Sequence, residues 1–226
     1  MSNDIPAIEV RDVSKRFGPR WAVARLTYSL PTGRSLLLTG HNGSGKTTLL
    51  RMMSTATFPT AGELRIFGQD TRREREALRR VVGLLSHASF LYEDLTAEQN
   101  LTLLGRLLAL DGLKAKVSEL LDRVGLRQRS DSPARHFSAG MRKRLAIARL
   151  LLKAPRLALL DEPFGELDPS GINQMEGHIR DLQKTGTTVV LATHLIEQGE
   201  RLTQERLHLE NGRLTKPGPE RTSEGE

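Results

Sequence analysis

Alternating apolar and polar side chains mark the two ends of the chain, while short unbroken apolar runs mark its middle. Near the N-terminus, "AIEVRDVSKRF" and "RLTYSL" alternate, the latter through Leu26, Tyr28 and Leu30, which predicts antiparallel strands with one wet face. "SLLLTG", "VVGLLS", "RLALLDEP" and "TTVVLAT" are continuously apolar instead, the pattern of strands covered on both faces. "KTTLLRMMS" reads as helical and "GELRIFG" as extended. From residue 95 to about 153 the period is helical: Thr96 and Gln99 form a capping box before "NLTLLGRLLAL", and residues 114–124 form a second amphipathic stretch. A helical insert, about 88–153, therefore separates two groups of strands. Asp168 and Pro169 supply a cap and a first residue for a helix reaching about Lys184, with Gly186 just beyond it. "LHLENGRLT" centres Asn211 and Gly212 as a two-residue hairpin turn. Residues 1–215 are expected to form one domain, and "KPGPERTSEGE", almost without apolar side chains, a disordered tail over 216–226.

Composition narrows the class. A chain of 226 residues suffices for one well-buried domain, and 38% hydrophobic with 27% charged residues fits a globular protein. "LTLLGRLLAL" contains an arginine and "TTVVLATHLI" is about half the ~20 residues a bilayer crossing needs, so no membrane span is expected. The N-terminus has no apolar core of signal-peptide length, which makes a cytosolic location the default. Absence of cysteine excludes disulfides and thiolate metal sites. The net charge of +7 admits nucleic acid or an anionic membrane as partner. Its densest patch, "TRREREALRR", mixes Glu74 and Glu76 among the arginines, and a solvated helix face is the simpler reading. Nucleic acid is not the expected partner.

Three segments carry candidate chemistry. "GHNGSGKTT", residues 40–48, matches G-x-x-x-x-G-K-[ST] between a buried strand and a helix. The glycines Gly40, Gly43 and Gly45 let the backbone curl, so that N–H groups from His41, Asn42, Ser44 and Thr48 can face phosphate oxygens. Lys46 would balance the outer phosphate charge and the Thr47 hydroxyl could bind Mg²⁺. In "LALLDE" the strand delivers two acids at its C-terminal end, where ligands of open α/β sheets sit. Asp161 would face Mg²⁺, usually through water, and Glu162, pointing elsewhere, could take a proton from attacking water. His194 follows the strand "VVLAT", and its imidazole could donate a hydrogen bond to a terminal phosphate. In "FSAGMRKR", Ser138 caps a helix whose Met141, Leu145, Ala148 and Leu152 share a face, and small Ala139 and Gly140 let an anion approach. This second anion site lies far from the phosphate loop in sequence.

The phosphate loop, "FSAGM", "LALLDEP", "GELD" and His194, in this order and spacing, resemble the nucleotide-binding domain of an ATP-binding cassette (ABC) protein over residues 8–215. The resemblance implies an α/β P-loop NTPase with a mixed central sheet, an N-terminal antiparallel β subdomain and an inserted helical subdomain. It implies an ATPase that uses ATP and Mg²⁺ and works as a head-to-tail homodimer, or with a paired ATPase subunit. In such a dimer Ser138, Ala139, Gly140 and Met141 face the γ-phosphate of ATP held by the opposite subunit, and Asp168 lies on the loop that reaches across. Phe17 takes the place of the ring stacked on adenine, with Trp21 close enough to compete. His87 stands where most members have a glutamine that touches Mg²⁺ and water; it lacks the carbonyl oxygen that suits Mg²⁺. Ala139, Met141 and "GELD" also depart from the commoner forms. One cassette without a membrane segment resembles a separate transporter subunit, peripheral on the cytoplasmic face of the inner membrane and docked on an integral permease. "SHASFLYEDLTAEQNL" and "SAGMRKRLAIARLLL" resemble the haem exporter ATPase of cytochrome c maturation. Drug, lipid and polysaccharide exporters share the single cassette, and soluble ABC ATPases acting on DNA or ribosomes form a second class.

Overall fold

The computed structural model describes residues 5–86 and 90–215. The chain opens with a hairpin in which β1 (Ile8–Phe17) pairs antiparallel with β2 (Arg20–Leu30), Ile8 opposite Leu30 and Phe17 opposite Arg20. The register slips after Val10 and again after Val13, and Asp12 and Arg25 take left-handed backbone angles. These irregularities bend the hairpin, and the alternation pattern alone does not reveal them. β3 (Ser35–Thr39) follows, buried at every residue, and leads through the glycine-rich loop into α1 (Lys46–Met53). β4 (Ala61–Ile66) and the short β5 (Gln69–Asp70) join the hairpin in an antiparallel sheet of order β2-β1-β4-β5. α2 (Arg75–Val81) runs directly into β6 (Val82–Leu85). Val81 thus ends a helix instead of opening a strand, and the arginine-rich stretch is helical only from Arg75.

The helical segment holds α3 (Ala97–Leu107), α4 (Leu113–Arg123) and α5 (Ala139–Lys153). The capping box is reciprocal: Thr96 Oγ1 accepts from the Gln99 N–H at 3.1 Å, and Gln99 Oε1 accepts from the Thr96 N–H at 2.9 Å. Within the first turn of α3, the buried Asn100 amide shares its two N–H bonds among the carbonyls of Tyr92, Leu95 and Thr96, tying down the loop that enters the segment. β7 (Leu157–Asp161), α6 (Pro169–Lys184), β8 (Thr188–Ala192) and the short α7 (Ile196–Glu200) follow, and β9 (Glu205–Glu210) and β10 (Arg213–Thr215) close the chain. Asn211 and Gly212 both have positive φ, 49° and 76°, as the two-residue turn requires. The predicted tail, 216–226, lies outside the described residues.

The larger sheet has the order β10-β9-β3-β8-β7-β6, parallel except for the β9/β10 hairpin. Its continuous apolar runs have a direct cause. Leu36 and Leu38, Leu157 and Leu159, Val190 and Ala192 face one core, shared with α1 and the antiparallel sheet. Leu37, Ala158, Leu160, Val189 and Leu191 face the other, packed against α5, α6 and the start of α3. Each of these residues is buried on one side or the other, worth about 1.5–3 kcal/mol for a leucine relative to exposure. Tyr28 ties the two sheets, its hydroxyl donating to Glu205 at 2.5 Å; burial, and then this bond, pushes the phenol far above its usual range.

Candidate functional site

β3, β8 and β7 lie side by side, so the residues after their C-terminal ends converge. A cleft of about 530 Å³ opens there, lined by Asn42, Gly43 and residues 45–48 of the loop, by Asp161, Glu162 and His194, and by Ala22 of β2. Two glycines of the loop are dictated by sterics. A Cβ on Gly40 (φ 141°) would lie 2.1 Å from the Leu209 carbonyl oxygen, and one on Gly45 (φ 111°) 2.4 Å from that of Ala22. The loop is therefore clamped between the first hairpin and the last. Gly212, at the tip of the last hairpin, donates its N–H to the Ser44 carbonyl at 3.0 Å and accepts from the Ala24 N–H at 2.7 Å. The turn was legible in the sequence, but not its role as a buttress of the loop.

Lys46 is buried, and its ammonium donates to the carbonyls of Gly40 at 2.6 Å and His41 at 3.1 Å, arching across the loop it belongs to. His41 is exposed, with Nδ1 2.7 Å from the Asn42 carbonyl oxygen. Thr47 is exposed to the cleft and Thr48 half-buried. The N–H groups of Lys46, Thr47 and Thr48 open α1 and have no acceptor within the helix, which leaves them for an anion.

Asp161 ends β7 and is 6% exposed. Glu162 follows in the left-handed region (φ 50°), a conformation costing roughly 1–2 kcal/mol for a residue with a side chain. Its N–H donates to the Ala192 carbonyl at 2.8 Å. Its carboxylate Oε2 accepts from Thr193 Oγ1 at 3.1 Å and lies 3.0 Å from His194 Nδ1. An ionised carboxylate only accepts, so the His194 hydrogen in this contact sits on Nδ1. This sharpens the expectation for His194: Nε2 then donates only when the ring is protonated, so a bond from it to phosphate belongs to the imidazolium. Thr193 completes the grip on Glu162, and its only signal in the sequence is its place between the strand and His194.

Thr47 and Asp161 face the same cleft, one hydroxyl and one carboxylate. No group of three or more His, Cys, Asp or Glu residues gathers as a metal cage among the described residues. Such a sparse donor set fits Mg²⁺, which keeps several waters and relies on substrate phosphates for the remaining positions. His87 lies outside the described residues.

Residues of the second candidate anion site line a separate cleft of about 510 Å³, whose lining includes Ser138, Ala139, Gly140, Glu166 and Asp168. Ser138 is exposed, and its Oγ accepts from the Met141 N–H at 3.2 Å; that amide is spent on the cap, while the hydroxyl hydrogen stays available to donate outward. Met141 packs half-buried against the core. A Cβ on Gly140 would meet nothing closer than the Glu166 carbonyl oxygen at 3.4 Å, an ordinary contact, so the chain's own packing does not demand glycine there. Asp168 is exposed and caps α6, Oδ1 accepting from the Gly171 N–H at 2.9 Å. The two clefts share no lining residue. At the edge of the molecule, Phe17 and Trp21 flank the turn of the first hairpin with about half their surface exposed, Lys15 over the Phe17 ring at 4.9 Å and Arg16 over the Trp21 ring at 5.7 Å. Trp21 directly precedes Ala22, which lines the phosphate cleft.

Residues 23–165 match the family model described as ABC transporter, and the chain belongs to that family. It is an ABC-type ATPase. It is 35% identical over 215 residues to the Nod factor export ATP-binding protein I of Ralstonia nicotianae, covering 94% of this chain and 67% of that one. It is 37% identical over 214 residues to the daunorubicin resistance ATP-binding protein DrrA3 of Streptomyces coeruleorubidus, covering 94% and 68%. Its fold superposes on the dimeric post-hydrolysis structure of the ATP-binding cassette MJ0796 bound to ADP and Pi, with a TM-score of 0.85, 26% identity, and 92% of this chain and 97% of that chain covered. The haem-exporter likeness gains no support from these relatives, whose names point to Nod factor export and daunorubicin resistance.

Proposed function

We propose that the chain hydrolyses ATP as the paired subunit of an exporter, two copies closing head-to-tail so that the phosphate cleft of each is covered by the Ser138 cleft of the other. The observation that carries this reading is the separation of the two anion-binding halves on one chain, each open to solvent and neither lined by a residue of the other. The dimeric MJ0796 cassette supports the paired state. The room at Gly140 supports an approach from outside the chain.

In this mechanism the loop amides and Lys46 hold the phosphates, and Thr47 and Asp161 would hold Mg²⁺, which would supply charge neutralisation on the phosphate oxygens. Glu162 takes the proton of the attacking water, its carboxylate steadied by Thr193 and His194. His194, its Nδ1 engaged on Glu162, completes the side of the cleft that faces the terminal phosphate. From the second chain, the Ser138 hydroxyl and the amides opening α5 close over that phosphate, with Ala139, Gly140 and Met141 lining the approach and Asp168 beside them. Phe17 or Trp21 offers a stacking face for the base, about 1–3 kcal/mol and tolerant of base identity.

Among the described residues no helix is long and apolar enough to cross a membrane. Membership of the ABC transporter family supports an integral permease subunit on the inner membrane as the path, with this chain peripheral on its cytoplasmic face. Nod factor export and daunorubicin resistance in the relatives support export as the direction. The test is Ser138→Arg: nucleotide affinity of the isolated chain stays within about twofold, while light scattering shows no ATP-dependent dimer. A normal dimer in that variant would contradict the reading.

A further inference from the structure

The segment carrying Glu162 holds two non-glycine residues in the left-handed region, Glu162 (φ 50°) and Glu166 (φ 67°). Conformations of this kind persist only where the surroundings over-determine them. On one side the Glu162 N–H is tied to β8 through the Ala192 carbonyl. On the other, the Glu162 carbonyl accepts from Lys143 Nζ at 3.0 Å and from the Gly165 N–H at 3.3 Å. Lys143 lies in the second turn of α5, only 5% exposed, where a lysine is seldom found without a definite partner. Burial lowers its pKa, while Glu166, Glu162 and Asp161 oppose that shift. Its acidic neighbours thus come from both clefts, Asp161 and Glu162 from the phosphate cleft and Glu166 from the Ser138 cleft on which its own helix opens.

We propose that Lys143 is a positioning residue for Glu162: its bond to the Glu162 carbonyl holds the left-handed backbone that aims the carboxylate at Thr193, His194 and the attacking water. The inference rests on Glu162 being the base. It also joins the two clefts of one chain, since the helix that would touch the partner's ATP is fastened to the chain's own base.

The test is a double-mutant cycle between Lys143→Met, which keeps length but loses the donor, and Glu162→Gln, with ATPase kinetics and calorimetric ATP binding for each variant. Lys143→Met is expected to lower kcat about ten- to a hundredfold, as small displacements of a reacting group do, with the ATP affinity within twofold. Lys143→Gln, which restores an N–H donor, should recover kcat to within roughly threefold of the original protein, by the same dependence on placement. In the Glu162→Gln background Lys143→Met should change the residual rate by less than about twofold, because the group it positions is gone. Lys143→Leu, a second donor-free replacement, goes through the same cycle so that the result does not hang on one variant folding. Full kcat in both donor-free variants, an equal loss in the Glu162→Gln background, or a loss confined to ATP affinity would each overturn the proposal. Near-normal turnover of Glu162→Gln itself would instead remove the base and with it the function proposed above.

Discussion

The phosphate cleft and the Ser138 cleft, each proposed to take an anion at a helix N-terminus, are built differently by the chain. In the first, each element is locked by the chain itself: Gly40 and Gly45 by carbonyls from distant strands, Lys46 by two loop carbonyls, and Glu162 by Ala192, Thr193, His194 and Lys143. In the second, the cap on Met141 and the cap on Gly171 are local, Gly140 has room for a side-chain carbon, and Ser138, Glu166 and Asp168 are exposed. A site whose demands are met inside the chain is preorganised to hold phosphate. In the second, Gly140 answers no such internal demand, which suits the proposed approach of a group from outside the chain.

Substitutions should separate the two. Glu162→Gln is expected to lower hydrolysis by about 10²–10⁴, the share of a general base, while ATP binding survives and an ATP-bound dimer accumulates. Steady-state rates beside sedimentation would check both halves, and rapid turnover would count against Glu162. Lys46→Ala should weaken nucleotide binding by about ten- to a hundredfold, the worth of a charge-assisted contact of about 1.5–3 kcal/mol; calorimetry with unchanged affinity would count against the first cleft. Thr193→Val removes one donor to Glu162 and should cost kcat about tenfold or less, with KM unmoved. Gly140→Ala is the mildest and the most discriminating. Chain stability should hold within about 0.5 kcal/mol by urea unfolding, because alanine suits a helix better than glycine, while ATP-dependent dimerisation weakens. Destabilisation of the monomer would mean that Gly140 serves its own fold after all.

Much of the first cleft was legible because its causes are local. A buried apolar run, a glycine-rich loop and a lysine followed by two threonines are adjacent in the chain, and the acids end their own strand. The caps at Thr96, Ser138 and Asp168 were legible for the same reason. What was not legible is what tertiary packing brings together. Thr193 meets Glu162 across 31 positions and Lys143 across 19, and a lysine at that point of an amphipathic helix looks like a solvated charge. The left-handed Asp12 and Arg25 leave no mark in an alternating strand: arginine does not favour such angles, and aspartate favours them too weakly to signal a bend by itself. The hydrogen on His194 is decided by the carboxylate beside it, which sequence order does not show.

Mixing two disabled chains tests the composite site most directly. Glu162→Gln keeps a sound Ser138 cleft but no base, and Ser138→Arg keeps the base but not the cleft that covers a partner. Combined before ATP is added, they can form a mixed pair in which the Ser138→Arg chain supplies loop and base and its partner supplies Ser138. The account predicts that ATPase activity, near zero for either chain alone, returns on mixing and rises with total protein concentration. No recovery at any ratio, with mixed pairs shown to form, would contradict it.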